Sequence, residues 1–197
     1  MKRLAVFVSG SGSNLQALID ACGAGALAAE IALVVSNRKA AYGLERAQLA
    51  SIPTHYAPLK PYSDAGRSRA EYEAGLLAAL TPFSPDLLVL AGWMHIFGAP
   101  FLGQFPCRVI NLHPALPGVL AGKDSLRETY DAAQRGEPLE TGCMVHYVVP
   151  EVDAGEVIAV ERVPVAPGEA LDDFAARMHA AEHRLIVRAV GQWLAER

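Results

Sequence analysis

The chain is poor in cysteine, and its three cysteines are isolated. Cys22, Cys107 and Cys143 are widely spaced over the 197 residues, and none forms a CxxC pair. An odd, dispersed set of this kind supports neither a disulfide framework nor a zinc site. We therefore expect a reducing, cytoplasmic location and no bound metal.

Runs of one charge and long apolar segments are also missing. Lys and Arg number 17 against 21 Asp and Glu, the net charge is −4, and no basic cluster occurs. Nucleic acid and membranes are therefore not expected as partners. No apolar segment reaches the roughly 18 residues of a membrane span, and the short apolar run before Ser9 does not continue as a signal peptide. Small-molecule substrates are expected instead, with the protein a monomer or a homodimer.

What the chain does contain is an alternation of short apolar runs and helical segments. Hydrophobic residues make up 52% and charged residues 19%, as in a folded domain. Parallel strands are predicted at 4–8, 31–35, 53–56, 87–91 and 109–112, helices at 15–22, 44–51, 68–80, 101–105 and 171–194, and an antiparallel pair at 144–149 and 157–165. The pattern predicts one α/β domain over 1–197, with a Rossmann-like, mostly parallel twisted sheet, helices on both faces and an antiparallel strand near the C-terminal part. Segments 58–67 and 114–123 are expected to be mobile.

A loop rich in Gly and Ser, from Ser9 to Asn14, lies between the first strand and the first helix. Its glycines allow close backbone approach, and free N–H groups at a helix start favour an anion. The loop is not GxGxxG, because Leu15 takes the place of the third glycine, and no Gly-Lys-Ser/Thr follows the strand. A phosphate monoester therefore fits better than a dinucleotide or a nucleoside triphosphate. A plain turn capped by Ser13 or Asn14 is the alternative.

Asn111 and His113 stand one residue apart at the end of a predicted strand. Alternation places both side chains on one face, where they could reach a single carbonyl. Asp153 follows in a later loop, and beside the imidazole it would fix the ring and favour its protonated form. Such a set suits acyl transfer to an amine. The alternative is an ordinary strand end with an unrelated aspartate in a turn.

Several segments, in order along nearly the whole chain, resemble the phosphoribosylglycinamide formyltransferase family, the folate-dependent enzymes of purine biosynthesis. The matching pieces are SGSGSNLQALID from Ser9, SNR from Ser36, GLERA from Gly43, LAGWM from Leu90, NLHP from Asn111, TGCMVH from Thr141, VDAG from Val152, and Glu182-His183. The NLHP element alone would indicate only the wider formyltransferase superfamily. The amino-terminal SGSGSNLQ element and the overall length narrow the resemblance to the phosphoribosylglycinamide formyltransferase family.

The resemblance implies transfer of the formyl group of 10-formyltetrahydrofolate to the amino group of 5′-phosphoribosylglycinamide, without a metal. It implies catalytic roles for Asn111, His113 and Asp153 around a tetrahedral intermediate. His146 would lie next to these residues without a catalytic role of its own. The implied ribonucleotide residues are Gly12, Ser13, Asn14 and Glu182. The implied folate residues are Arg69, Met94, His95, Ile96, Phe97, Asn111, Val149 and Asp153. A lobe of about 1–100 would bind the ribonucleotide phosphate, and a lobe of about 101–197 would carry the catalytic residues and the folate loop.

Two departures from the family pattern and two rival functions remain. His95 stands where many members have arginine, and residues 114–124 read more like the fungal branch than the commoner form.

One rival function is that of 10-formyltetrahydrofolate hydrolase, which uses the same three residues with water. Its extra amino-terminal domain would have no room before Leu4. The other rival is a non-catalytic nucleotide- or folate-binding module. Methionyl-tRNA formyltransferase would need a basic surface, which a net charge of −4 opposes.

Overall fold

Seven strands form one sheet in the computed structural model, which describes residues 1–106, 108–119, 125–137 and 140–196. The strands are β1 (Lys2–Val8), β2 (Ala29–Ser36), β3 (Thr54–Tyr56), β4 (Leu87–Leu90), β5 (Val109–His113), β6 (Gly142–Tyr147) and β7 (Val157–Arg162). Their order across the sheet is β3-β2-β1-β4-β5-β6-β7. The first five are parallel, whereas β6 runs antiparallel to both β5 and β7. The predicted α/β fold is confirmed.

Helices cover both faces of this sheet. They are α1 (Ser13–Gly23), α2 (Tyr42–Leu49), α3 (Lys60–Asp64), α4 (Arg69–Leu80), α5 (Ala99–Leu102), α6 (Ser125–Gln134) and α7 (Leu171–Ala195). Neither α3 nor α6 was predicted, and α3 lies inside the segment expected to be mobile. The prediction for 114–123 falls partly outside the described residues. Over the part of the chain that is described, no helix is both long and apolar enough to cross a membrane.

The central strands are apolar throughout because both of their faces are buried. In β1, Leu4 and Val6 pack with α1 and α7, whereas Ala5 and Phe7 face α4 and α5. Parallel strands between two helical layers lack the polar alternation of a solvent-facing sheet. The 25-residue α7 carries much of one layer, with buried residues from Phe174 to Trp193.

The strand order places the functional segments. β1 has β2 on one side and β4 on the other, so the sheet reverses its order at β1. Ligands of open α/β sheets bind beyond the carboxyl ends of the strands at such a point. The loop after β1 lies there, and the end of β5 is close by. The antiparallel pairing of β5 with β6 sets His146 opposite Asn111.

Candidate active site

The loop after β1 is shaped by the backbone at Gly12. This residue is the N-cap of α1 with φ of 68°, a left-handed conformation, and no side chain caps the helix. A Cβ at Gly12 would collide with the backbone of Gly43, whose N–H donates to the Gly10 carbonyl at 3.1 Å. Only glycine meets both demands. The side-chain cap considered as the alternative is therefore not formed, and the amides of the first turn stay available to an anion.

A cavity of about 260 Å³ opens over this loop. Its lining includes all four residues implied for the ribonucleotide: Gly12, Ser13, Asn14 and Glu182. Asn14 Nδ2 donates to Glu182 Oε2 at 3.1 Å, and Asn14 Oδ1 is buried with no partner among the described residues. Burial raises the pKa of the Glu182 carboxyl, while the hydrogen bond from Asn14 opposes that rise. The phosphate loop and the last helix thus meet in one polar cavity.

Two cationic or ionisable side chains in this cavity were not singled out from the sequence. Arg38 and His179 both line it. His179 lies nearly one turn before Glu182 on α7, a spacing that places both side chains on one helix face. That spacing could have been noticed in the sequence. Arg38 belongs to a segment quoted for the resemblance, but its place depends on how β2 ends beside β1.

Asn111, His113, His146 and Asp153 converge at the ends of β5 and β6. His113 Nδ1 lies 3.5 Å from Asp153 Oδ2. Asp153 Oδ1 lies 3.4 Å from Asn111 Nδ2 and 3.3 Å from His146 Nε2. His146 is 2% exposed, and its Nδ1 lies 2.8 Å from the Tyr147 carbonyl oxygen. A carbonyl oxygen can only accept, so Nδ1 carries a proton and the ring is fixed behind Asp153.

Burial and Asp153 act on the pKa of His113 in opposite directions. Burial lowers the pKa of the imidazole, and the attraction of Asp153, which raises it, does not overcome that effect. Asp153 favours the protonated form, as expected, but this influence is smaller than the effect of burial. Removing the ring from water destabilises its protonated form by more than the partly exposed Asp153 carboxylate, at 3.5 Å, stabilises it. His113 is therefore neutral in the resting site at pH 7.

Asp153 owes its position to a tight turn. Its φ is 52°, in the left-handed region that aspartate tolerates better than most residues. Two residues later, a Cβ at Gly155 would collide with the Tyr147 carbonyl oxygen. The contact with the His146 ring is the main cause that lowers the pKa of Asp153. Asp153 is therefore held as a carboxylate against the two rings. In the described ranges, no group of three or more His, Cys, Asp or Glu side chains is arranged so that it could hold a metal ion.

These four side chains line a second cavity, of about 350 Å³. Among the implied folate residues it includes Met94, His95, Ile96, Phe97 and Val149. Met94 and Ile96 are 62% and 63% exposed, whereas Phe97 is buried and stacks on Phe101 at 4.2 Å between ring centroids. The wall after β4 thus joins an exposed apolar rim to the core. Val152 also lines the cavity and was not assigned from the sequence.

Arg69 is the one implied folate residue outside the lining found for this cavity. It donates through Nη2 to the Ile96 carbonyl at 2.5 Å and through Nε to Glu73 at 3.2 Å. Glu73 is buried and accepts the Gly98 N–H at 2.9 Å. The start of α4 therefore clamps the carboxyl end of the segment that carries the cavity wall. A direct contact between Arg69 and folate stays a prediction.

The phosphate cavity and the second cavity are neighbours. Asn14, Gly92, Met94 and Glu182 line both. A molecule with its phosphate on the loop after β1 can therefore present its other end to Asn111 and His113. This combination of an anion site, an amide–imidazole pair and an apolar wall suits group transfer between two bound molecules.

Both the sequence and the fold are similar to those of known proteins. The formyl transferase family matches over residues 2–190. The chain is 44% identical over 199 residues to the phosphoribosylglycinamide formyltransferase of Schizosaccharomyces pombe, covering 96% of this chain and 95% of that protein. The crystal structure of glycinamide ribonucleotide transformylase 1 from Symbiobacterium toebii gives a TM-score of 0.90 at 36% identity, over 100% of this chain and 89% of that one.

A formyltetrahydrofolate deformylase from Pseudomonas syringae pv. tomato str. DC3000 gives a TM-score of 0.86 at 23% identity, over 100% of this chain and 62% of that one. At that identity the likeness concerns the fold alone. The fold and the family match together define the class, which is that of the formyl transferases. Within this class the chain belongs to the phosphoribosylglycinamide formyltransferase family. The predicted family is confirmed, and a non-catalytic module is disfavoured.

Proposed function

We propose that this protein transfers the formyl group of 10-formyltetrahydrofolate to the amino group of 5′-phosphoribosylglycinamide. One observation carries the proposal: Asn111, His113 and Asp153 line a single cavity that adjoins the phosphate loop through Asn14 and Glu182. In this arrangement the loop after β1 binds the phosphate and Glu182 accepts hydrogen bonds from the ribose hydroxyls. The amine then lies beside the formyl carbon.

The donor side of the reaction fits the second cavity. Trp93 Nε1 and His113 Nε2 belong to residues of its lining, and both atoms are buried with no partner among the described residues. A ligand that carries hydrogen-bonding groups on a flat, largely apolar ring would satisfy such atoms. The side chains of Met94, Ile96, Phe97 and Val149 would hold 10-formyltetrahydrofolate, which supplies the formyl group. Arg69 would act here mainly by holding Ile96.

Asn111 and His113 stabilise the charge that develops on the formyl oxygen. Because His113 Nδ1 faces Asp153, its Nε2 is the atom left for the substrate. The neutral ring gains the proton that the attacking amine loses, and negative charge on the formyl oxygen favours that protonation. Asn111 Nδ2, which faces His146 Nε2 at 3.2 Å and Asp153 Oδ1 at 3.4 Å, turns one N–H to the formyl oxygen as the second donor. Each donor acts more strongly on the tetrahedral oxyanion than on the planar formyl group, which is the condition for catalysis.

Asp153 assists the movement of one proton. The attacking nitrogen gains a bond to the formyl carbon and loses a proton, while the departing nitrogen loses its bond to that carbon and gains one. No proton is consumed overall. Asp153, held as a carboxylate by His146, balances the charge of His113 while the proton passes through this site, directly or by water.

The division of work along the chain follows from these assignments. Residues of about 1–100 supply the phosphate loop and the segment from Met94 to Phe97. Residues of about 101–197 supply Asn111, His113 and Asp153, and Glu182 completes the ribonucleotide site. Because all seven strands form one sheet, the two lobes divide the ligand contacts and are not separate folded units, and the wall from Met94 to Phe97 belongs to the first lobe.

The test is absorbance on mixing the protein with 10-formyltetrahydrofolate, with and without phosphoribosylglycinamide. Deformylation that requires the ribonucleotide is expected. Equal deformylation without it would favour a hydrolase. The phosphate cavity favours the transferase, because a water acceptor needs no phosphate site.

A further inference from the structure

The loop after β1 is held from behind by two residues of α2. The Gly43 N–H donates to the Gly10 carbonyl at 3.1 Å. Arg46 Nε donates to the carbonyl of the next residue, Ser11, at 2.9 Å. Gly43 and Arg46 stand three positions apart, a spacing that places them on one face of the helix. Two successive carbonyls of the loop are therefore bound to α2, although Arg46 itself does not line the phosphate cavity.

Holding these two carbonyls fixes the direction of the two N–H groups that follow them. A peptide unit is planar and trans, so its N–H points away from its own C=O. The N–H groups of Ser11 and Gly12 therefore point away from α2. Among the described residues neither of these N–H groups donates to a backbone carbonyl, and both residues line the phosphate cavity. Successive backbone N–H groups that point to one side bind anions.

The guanidinium of Arg46 is fixed on two further sides. Its Nη1 donates to Gln16 Oε1 at 3.1 Å, and Gln16 Nε2 donates in turn to Asp20 at 2.9 Å. The guanidinium carbon also lies over the Tyr42 ring, 4.8 Å from its centroid. A planar guanidinium can donate in several fixed directions and stack on a ring at the same time, which a lysine ammonium cannot do.

The positive charge of Arg46 has no carboxylate among its hydrogen-bond acceptors. These acceptors, the Ser11 carbonyl and the Gln16 amide oxygen, are both neutral. The charge acts as far as α7, where, after burial and the interaction with His179, it lowers the pKa of His183. A cation one peptide unit behind the loop attracts an anion in the cavity without touching it.

We propose that Arg46 is a positioning residue for the phosphate of the ribonucleotide. It holds the Ser11 carbonyl on the outer side of the loop, so that the Gly12 N–H of the same peptide unit faces the phosphate, and it places a positive charge behind that N–H. The inference rests on the proposed function, which binds the phosphate on this loop. Because Arg46 does not contact the ligand, its effect falls on the binding of the phosphate and not on the chemical step.

The experiment is the steady-state kinetics of Arg46→Met, which keeps an unbranched side chain but removes the charge and the donors. KM for phosphoribosylglycinamide should rise about 5- to 30-fold, while kcat and KM for the folate stay within about twofold. Ribosylglycinamide, the same substrate without its phosphate, gives the sharper comparison. Its kcat/KM should change by less than about twofold, because it has no phosphate for the loop to bind. A merely structural role of Arg46 would lower kcat/KM for both substrates.

Arg108→Met is the matched control. Arg108 also donates to a backbone carbonyl, that of Gln104 at 3.0 Å, and its guanidinium carbon lies 5.5 Å from the centroid of the Phe105 ring. It precedes β5, at the opposite end of the sheet from the phosphate loop. No change in KM is expected. If Arg46→Met did not fold, Arg46→Lys would replace it with an expected rise of about 2- to 5-fold, since one ammonium cannot bond both acceptors.

An unchanged KM for the ribonucleotide in Arg46→Met would overturn the proposal, and so would an equal loss of kcat/KM for ribosylglycinamide. Absence of transfer in the wild-type protein would instead contradict the proposed function. Calorimetry would then still decide the inference, because Arg46→Met must raise the Kd for the ribonucleotide about 5- to 30-fold if the loop binds its phosphate.

Discussion

The phosphate cavity and the second cavity, which contains Asn111 and His113, share four lining residues but are built from different parts of the chain. The first depends on backbone: Gly12 in a left-handed conformation, its contact with Gly43 and the free amides at the start of α1. The second depends on side chains that β5, β6 and the following loop bring together around Asp153. A backbone site tolerates changes of side chain but no added Cβ. A side-chain site tolerates no loss of a donor.

The largest expected effect is on the side-chain site. His113→Ala and Asn111→Ala should each lower kcat by about 100- to 1000-fold, because each removes a donor to the developing oxyanion. Ribonucleotide affinity, measured by calorimetry, should stay within about twofold, since the phosphate loop is untouched. Val157→Ala on the exposed face of β7 is the control. A kcat near the wild-type value in either variant would contradict the assigned roles.

A smaller effect is expected from an added methyl group in the backbone site. Gly12→Ala should lower the free energy of unfolding by about 1–3 kcal/mol, because alanine at φ of 68° is strained and its Cβ meets Gly43. The same change should raise KM for the ribonucleotide more than KM for the folate. The measurements are urea unfolding and steady-state kinetics.

Gly10→Ala provides the matched control for that comparison. A Cβ at Gly10 would meet nothing within 4 Å, and this residue has no positive φ. We expect little change in stability or KM. If Gly10→Ala and Gly12→Ala behaved alike, the special role of the Gly12 backbone would be refuted.

The clamp on the wall after β4 should give an intermediate effect on folate alone. Glu73→Gln weakens the buried link from Arg69 to the Gly98 amide, so the segment from Met94 to Phe97 loses its fixed position. KM for the folate should rise about 5- to 20-fold, as for the loss of a hydrogen bond to a charged group, while KM for the ribonucleotide stays constant. Glu45→Gln, on α2, is the control. An equal rise in both KM values would point to general destabilisation instead.

The smallest expected effect is a pH dependence of stability. The pKa values of His55, His95, His113 and His183 are all lowered, chiefly by burial. Between the lowered values and about 6.5 the unfolded chain binds more protons than the folded one, so stability falls as the pH drops through that window. The raised pKa of Glu182 acts in the opposite direction.

Urea midpoints at pH 7.5, 6.5 and 5.5 test this expectation. Glu182→Gln should make stability fall more steeply as the pH drops, because it removes the raised pKa that opposes the effect of the histidines. Stability that rose as the pH dropped from 7.5 to 5.5 would show that the buried histidines do not govern this window.

The two cavities also show how far sequence reasoning reaches. The phosphate loop is one contiguous segment, and its glycines and position after a buried strand predict its place and ligand. Asn111 and His113 were placed on one face by strand alternation alone. Their approach to Asp153 could be expected only through the family resemblance, because the length of a loop does not fix where an aspartate turns back.

Other features depend on tertiary structure and were not predicted. The net pKa direction for His113 is set by how deeply the ring is buried, which residue types do not reveal. The contacts of the Arg69 guanidinium with Glu73 and with the Ile96 carbonyl could not be predicted from residue spacing, and its contact with folate stays a prediction. The short helix α3 has only five residues, too few for a periodic pattern to be recognised.

The most direct test of the account follows the formyl carbon itself. The protein is incubated with 10-formyltetrahydrofolate labelled in the formyl group, together with phosphoribosylglycinamide, and the products are separated. We expect the label to appear in the ribonucleotide in a one-to-one ratio with the folate consumed, and His113→Ala to abolish this transfer while the ribonucleotide still binds. Label recovered as free formate, at a rate independent of the ribonucleotide, would contradict it.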